Sequence, residues 1–188
     1  MRFSHSDAEL VQQPIGYWSW AAHKAVVTHI RTGLAAHGLT QPQWWILAQV
    51  ARSEAPLTGA EVVAVLEGYL DVGASPLVAD LRTLRTRGLL TTTPPAADAR
   101  AATPRAADAD ATAPPATDTT QEAEPDEALL AASLALTEEG AETFANCAAL
   151  QQRMRAEIHE GISDEEYLLT LKVLQRMIHN TGGKAWHH

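Results

Sequence analysis

Two segments of this chain have the patterns of two halves of one small folded unit, although a segment of different composition separates them. Residues 75–90 carry leucines at helical spacing, reach Gly88 and continue into a short apolar run. Residues 133–140 are a short aliphatic run followed by Thr137 and two glutamates, which is typical of a strand leading into a helix. The predicted order is a helix, one arm of a β-hairpin, an inserted loop, the returning arm and a further helix.

The insert, from Pro94 to about Asp126, is built from Ala, Thr, Pro and Asp without large apolar side chains. Such a segment cannot bury enough surface to offset the cost of ordering it, so we expect a mobile loop that extends to about residue 130. Eight acidic residues and two arginines lie between Pro94 and Ser133, which accounts for most of the formal net charge of -9. The rest of the chain is only weakly acidic, so its composition does not exclude a nucleic-acid partner.

Outside the insert, apolar residues recur every three or four positions, which is the period of an amphipathic helix. The first stripe runs from Ile15 to Leu34, and Gly38 is suited to end that helix. The pattern predicts a mainly α-helical fold with one small β-hairpin. The helices are expected at about 14–37, 41–52, 58–69, 75–87, 137–160 and 163–180, and the hairpin arms at 89–93 and 134–136.

Capping residues predict where five of these helices begin. Thr40, Thr58, Thr137 and Ser163 each place a hydroxyl where it can accept a hydrogen bond from the amides of the first turn. Ser75, followed by Pro76 at a first helical position, is predicted to cap the fifth. Because the third and fourth helices are joined by a short turn and followed by the hairpin, they are predicted to form a winged helix-turn-helix.

The location is inferred from what the sequence lacks. One cysteine, Cys147, excludes an internal disulfide framework and suits a reducing compartment. The N-terminus has no apolar signal-peptide core, and no stretch of about 18 apolar residues could span a bilayer. We therefore expect a cytoplasmic protein without a membrane partner.

No catalytic or metal-binding motif stands out. The run 58–61, Thr-Gly-Ala-Glu, is a helix start and not a phosphate-binding loop. His23, His29 and His37 do not have the spacing that puts two imidazoles on one helical face. The sequence therefore predicts no enzyme, no metal site and no cofactor.

Taken in order, these pieces resemble the MarR family of bacterial winged-helix regulators. The family's Leu-Thr start of the second helix is matched by Leu39-Thr40, the Leu-x-x-x-Gly-Leu end of its recognition helix by residues 84–89, and its Leu-Thr-x-x-Gly return by residues 136–140. The best match to the Asp-x-Arg element of the wing is Asp98-Ala99-Arg100. Family wings are short, whereas here a long acidic segment follows Arg100.

The resemblance implies a homodimer in which residues 1–39 and 137–188 form a helical dimerisation region and residues 40–136 form the winged helix-turn-helix lobe, with the insert at about 94–130. Apolar stripes on the last two predicted helices agree, because they exceed what one small lobe could cover. The alternative is that these stripes pack within one chain.

The resemblance also implies a palindromic double-stranded DNA partner, read by the fourth helix in the major groove and by the wing in the minor groove. For Arg85 and Arg87, a favourable charge at the helix C-terminus explains the residue type as well as DNA contact does. Asp98 is expected to orient Arg100. Leu77, Leu81 and Leu84 are expected to face the core. The expected DNA-binding residues are Ser75, Pro76, Val78, Ala79, Arg82 and Arg100.

Aromatic residues gather on the first two predicted helices. In the resembling family these helices help to wall a ligand cleft, which would suit a small aromatic or phenolic effector. Packing in the core or at an interface is the alternative role for these rings. The expected ligand-binding residues are Tyr17, Trp18, Trp20, His23, Trp44 and Trp45.

The sequence thus predicts a homodimeric DNA-binding transcriptional regulator, specifically a ligand-responsive repressor released by a small aromatic compound. The alternative is a winged-helix protein-interaction module that uses the acidic insert and binds DNA weakly or not at all. The low basic content of the fourth helix favours that alternative.

Overall fold

A computed structural model of the chain describes residues 3–70, 73–94 and 126–184. The mainly α-helical fold with a small β-sheet is confirmed, and the six predicted helices correspond to α2, α3, α4, α5, α7 and α8. In chain order the elements are α1 (Asp7–Leu10), α2 (Ile15–Ala35), α3 (Gln41–Arg52), β1 (Leu57–Thr58), α4 (Gly59–Leu70), α5 (Ala74–Thr86), β2 (Leu90–Thr93), α6 (Asp126–Ala131), β3 (Ser133–Leu136), α7 (Glu138–Ile158) and α8 (Asp164–Asn180).

The helix starts form as their capping residues predict, with one exception. At α4 the amide of Glu61 donates to Thr58 Oγ1 at 3.3 Å, and the amide of Thr58 donates back to Glu61 Oε2 at 2.8 Å. Reciprocal pairs also begin α3 and α8. The predicted cap at Ser75 is wrong, because the chain leaves its extended conformation at Gly73. Pro76 therefore lies within the first turn of α5, where its missing amide costs no helical hydrogen bond.

The chain divides into two compact units: a helical unit of residues 1–44 and 143–188, and a winged unit of residues 45–142. In the winged unit the three strands form an antiparallel sheet in the order β1-β3-β2. The predicted hairpin is confirmed, with Leu90 opposite Leu136 and Thr93 opposite Ser133. The two-residue strand β1, which pairs Leu57 with Leu134, was not predicted.

The core of the winged unit is aliphatic and draws on every one of its described helices and strands except β1. The inward positions predicted for α5, Leu77, Leu81 and Leu84, are fully buried. The large buried side chains of this unit are Ile46, Leu47, Val62, Val63, Leu66, Leu77, Val78, Leu81, Leu84, Leu89, Leu90, Leu129 and Leu134.

A compact latch joins the end of α5 to the start of α7. Gly88 ends the helix with a positive φ of 71°, a conformation that glycine adopts without strain. Thr137 Oγ1 donates to the Gly88 carbonyl at 2.5 Å and accepts from the Gly140 amide at 3.0 Å. A Cβ at Gly140 would overlap the carbonyl oxygen of Leu89. The Leu-Thr-x-x-Gly motif thus provides both a hydroxyl cap and room for the backbone of the first arm.

The insert ends in a helix, which corrects the expectation of a loop up to about residue 130. Helix α6 contacts α4 and α5, and its Leu129 is only 2% exposed. A Cβ at Gly59 would lie 2.6 Å from the Leu129 carbonyl oxygen, and the Gly59 amide donates to the Ala132 carbonyl at 3.1 Å. Tertiary packing therefore stabilises a helix too short to persist alone. The rest of the expected loop, residues 95–125, lies outside the described residues.

In the helical unit, α2 and α7 run antiparallel. His29 Nε2 lies 3.0 Å from Glu157 Oε2, and Gly33 lies against Met154 farther along the pair. The Trp44 ring, after Thr40, stacks on Phe144 with ring centroids 5.4 Å apart. Leu34, Cys147 and Met154 are buried between these helices.

Helix α8 has no buried residue, although it carries large apolar side chains. At its start, the Tyr167 ring lies 4.4 Å from the His159 ring and 5.5 Å from the Arg155 guanidinium carbon. Leu168, Leu169, Leu171 and Met177 are exposed along the rest of it. None of the helices in the described ranges is long and apolar enough to cross a membrane.

Candidate nucleic-acid interface

The candidate interface is the outward face of α5 in the winged unit. Burial of its leucine stripe leaves Ser75, Pro76, Ala79 and Arg82 exposed. Ser75, Ala79 and Arg82 are spaced by four and three residues, so they lie on one helical face. Four of the expected DNA-binding residues therefore share the surface that a recognition helix would present.

One other expected DNA-binding residue, Val78, does not join this face. Val78 is only 6% exposed and packs into the core of the winged unit, so it is a correction to the predicted set. Its position follows from the helical period, since it lies next to the buried Leu77 and one turn before Leu81. Arg100, with the Asp98 expected to orient it, lies outside the described residues.

Positive charge in the winged unit is concentrated on α5. Among the described residues of this unit the basic side chains are Arg52, Arg82, Arg85 and Arg87, so two of the four lie in the second half of α5 and a third directly follows it. Arg82 Nη2 forms an ion pair with Asp126 Oδ1 at the start of α6, and the two side chains are 47% and 56% exposed. Sequence reasoning missed this partner, because 44 residues separate the two positions.

Three of the expected ligand-binding aromatics form an exposed cluster on α2. The Tyr17 ring meets the Trp18 ring edge-to-face at 5.5 Å and lies 6.2 Å from the Trp20 ring. The Lys24 ammonium lies 5.2 Å from the centre of the Trp20 ring, within cation–π range. His23 is exposed on the same helix. This cluster exposes three aromatic rings and one cation on the same helix.

The two tryptophans of α3 have different environments. Trp44 is 6% exposed and one face of its ring is taken by Phe144, so packing within the helical unit explains its burial. Trp45 is half-buried in the winged unit. A cavity of about 620 Å³ in that unit is lined by the end of α3, the loop 53–57 and β3, and none of the six expected ligand-binding residues lines it.

The single cysteine of the chain, Cys147, is buried in the helical unit. Burial raises the pKa of the Cys147 thiol, so the thiol stays protonated at neutral pH and is a poor nucleophile. No group of three or more His, Cys, Asp or Glu side chains that could hold a metal ion occurs among the described residues.

No protein-family model matches this sequence, and no curated protein is similar to it. Solved structures do share its fold. Wild-type MarR from E. coli in its apo form is 18% identical, with a TM-score of 0.55 over 88% of this chain and 98% of that chain. CouR from Rhodococcus jostii RHA1, bound to p-coumaroyl-CoA, is 16% identical, with a TM-score of 0.57 over 89% and 93%. A MarR-family protein from Mycobacterium tuberculosis, in complex with DNA, is 15% identical, with a TM-score of 0.55 over 88% and 98%.

Proposed function

We propose that this chain, which has the fold of the MarR-family regulators, is a cytoplasmic, homodimeric DNA-binding transcriptional regulator without enzymatic activity. The observation that carries the proposal is the face of α5, where Ser75, Pro76, Ala79 and Arg82 are exposed on a helix that contacts the β-hairpin. A helix anchored by a buried leucine stripe can enter a major groove without losing its own packing. The DNA complex of the mycobacterial protein supports this use of the fold.

The dimer is supported by the apolar surface of the helical unit. Leu168, Leu171 and Met177 of α8, together with Ile15 of α2, are exposed in one chain. Soluble proteins rarely leave so many large apolar side chains in water, and a second copy would cover them symmetrically. The dimer would carry two α5 helices and therefore address a palindrome.

A small aromatic or phenolic effector is the proposed ligand. The exposed rings of Tyr17, Trp18 and Trp20 could stack on a planar molecule, and the CouR structure has p-coumaroyl-CoA bound. A ligand that binds best when the two α5 helices are wrongly spaced for successive major grooves must lower DNA affinity by linkage. Such a ligand would release a repressor.

Selection of bound duplexes from a random pool tests the DNA partner. We expect a palindromic motif with half-sites about 10 base pairs apart, centre to centre, because each copy places one helix in a major groove. Analytical ultracentrifugation of the same sample should show a dimer. Failure of both the wild-type chain and a variant without the Arg82 partner, Asp126→Asn, to enrich any motif would reject the proposal.

Titration with a panel of phenolic compounds tests the effector. Ligand binding should quench tryptophan fluorescence and weaken the complex with the selected duplex. The duplex should in turn weaken ligand binding by the same factor. A double variant, Trp18→Phe with Trp20→Phe, should lose most of the quenching but keep its DNA affinity. If the quenching persists in this variant, the ligand does not bind at α2.

The second candidate remains a protein-interaction module that uses the acidic insert. One observation favours it, namely that an acidic residue of the insert is paired with Arg82. If selection enriches no DNA, deletion of residues 101–122, which leaves α6 intact, should abolish capture of the protein partner. Under the regulator proposal the same deletion keeps or strengthens DNA binding.

A further inference from the structure

Helix α6 is fixed against the part of the winged unit that would meet DNA. Leu129 is buried, and the backbone of α6 lies so close to Gly59 that no side chain fits between them. Ala132, directly after α6, accepts a hydrogen bond from the Gly59 amide. The second half of α6 is therefore held in place by the start of α4, and Asp126 lies one turn before these contacts.

This anchoring places a carboxylate on the proposed DNA-reading face. Arg82 lies on the same exposed stripe of α5 as Ser75 and Ala79, and its guanidinium bonds to Asp126. A guanidinium that donates to a carboxylate has fewer donors left for a phosphate or for the O6 and N7 atoms of guanine. Asp126 thus occupies the guanidinium of Arg82, the group that would contact DNA.

Arg82 can exchange its ion pair with Asp126 for a contact with another anion. Both side chains are about half exposed, and ion pairs in such positions contribute little to stability because water screens them. A DNA phosphate is an equally good acceptor and brings counterion release with it. Arg82 can therefore leave Asp126 for DNA without unfolding α6.

We infer that Asp126 is an autoinhibitory residue: in the DNA-free protein it holds Arg82, and it lowers the DNA affinity of the winged unit until DNA displaces it. This inference rests on the proposed function. The opposite role would be that Asp126 aims Arg82 at a base. The exposed, exchangeable pair and the negative charge that Asp126 adds near phosphate favour competition over aiming.

A double-mutant cycle separates the two roles, with Asp126→Asn, Arg82→Ala and the combined variant. Each protein is tested by fluorescence anisotropy on a labelled duplex carrying the motif selected by the wild-type chain or, if that chain selects none, by Asp126→Asn. If Asp126 competes with DNA for Arg82, the Asp126→Asn variant should bind the duplex about two- to fivefold more tightly than the wild type. The strength of exposed ion pairs sets this limit. Arg82→Ala then costs more affinity in the Asp126→Asn background than in the wild type.

Glu127→Gln is the matched control, because it removes the same charge from the next residue of α6, which is also exposed. It should change affinity by less than about twofold, since it acts only through screened long-range repulsion. The salt dependence gives an independent readout: the slope of log affinity against log salt should steepen for Asp126→Asn by up to about 0.9, one additional phosphate contact. Thermal unfolding of each variant checks that the fold persists.

The outcomes are distinguishable. Equal or weaker binding by Asp126→Asn, with wild-type binding intact, overturns the inference and leaves the proposed function standing. Binding by Asp126→Asn alone supports both. Failure of every variant to bind any duplex from the random pool overturns both.

Discussion

The two units differ in how much apolar surface each buries for itself. In the winged unit, leucines from α4, α5, α6 and the sheet close a common core, and Val65 is the large apolar side chain that its described residues leave exposed. The described part of the helical unit exposes Phe3, Val11, Ile15, Tyr17, Trp18, Trp20, Ile162, Leu168, Leu169, Leu171 and Met177. The winged unit buries its large apolar side chains within a single chain, whereas the helical unit leaves many of them exposed, which is the surface that the proposed dimer would cover. Substitutions in the two units should therefore report on different equilibria, folding in one and association in the other.

The largest effect is expected at the latch of the winged unit. Gly140→Ala should lower the free energy of unfolding by about 3 kcal/mol, because its new Cβ meets the backbone of Leu89, which cannot move aside as a side chain can. Urea unfolding followed by circular dichroism measures it. In the helical unit Gly16 has no atom within 4 Å of an added Cβ, so Gly16→Ala should instead stabilise by up to about 1 kcal/mol. Similar losses for both variants would contradict the close approach at Gly140.

The next largest effect concerns association. Leu171→Glu on α8 should raise the dissociation constant of the dimer by about a hundredfold or more, because both copies would have to bury a carboxylate. Sedimentation equilibrium measures it. Arg176→Glu, on the opposite side of the same helix, changes charge even more and should leave the dimer largely intact. A monomeric wild-type chain, or equal effects of the two variants, would exclude α8 as the interface.

Sequence reasoning succeeds for the features that neighbouring residues decide. Local rules located the caps at Thr40, Thr58 and Ser163, and the helical period placed Leu77, Leu81 and Leu84 in the core. Such features depend on residues within one or two turns of each other. They can be predicted from one chain because no distant contact decides them.

The features that sequence reasoning missed depend on contacts between distant segments. Helix α6 has few residues of its own to stabilise it and forms where Leu129 finds a place beside Gly59. Its only local sign is the acidic pair Asp126-Glu127 before two leucines, set in a segment whose composition indicates a loop. The Arg82–Asp126 pair follows from α6 and was therefore equally hidden. Val78 was expected on the groove surface but is only 6% exposed, because the buried face of α5 is wider than the stripe of Leu77, Leu81 and Leu84.

A smaller effect should come from the helix caps, where the two units can be compared directly. Thr58→Ala in the winged unit removes the hydroxyl that accepts from the Glu61 amide, and Ser163→Ala removes its counterpart before α8. Each should cost about 1 kcal/mol in urea unfolding, and Thr58→Ser should restore most of the loss. If the dimer holds α8 in place, the cost of Ser163→Ala should also depend on protein concentration. A concentration dependence for Thr58→Ala instead would reverse the proposed division between the units.

The smallest effect is a dependence on pH. Hydrogen bonds from the backbone and then the side chain of Thr58 hold the pKa of Glu61 below its ordinary value. A lowered pKa in the folded state stabilises the fold above the ordinary glutamate value, and the contribution is lost as pH falls through the lowered pKa. Glu61→Gln should therefore be less stable than the wild type at pH 7, and the difference should shrink towards pH 3. A difference that is unchanged in acid would show that the charge of Glu61 plays no part.

Thr93 and Ser133 are Cα partners at the open end of the hairpin, so the chain leaves and re-enters the sheet at neighbouring points. Chain added between two such points has little closure cost, which grows only with the logarithm of its length. Chain can therefore be added between Thr93 and α6 without a change in the pairing of β2 with β3. The segment after Thr93 is therefore a suitable insertion site, at which a reporter peptide or a small folded domain could be added next to the face of α5.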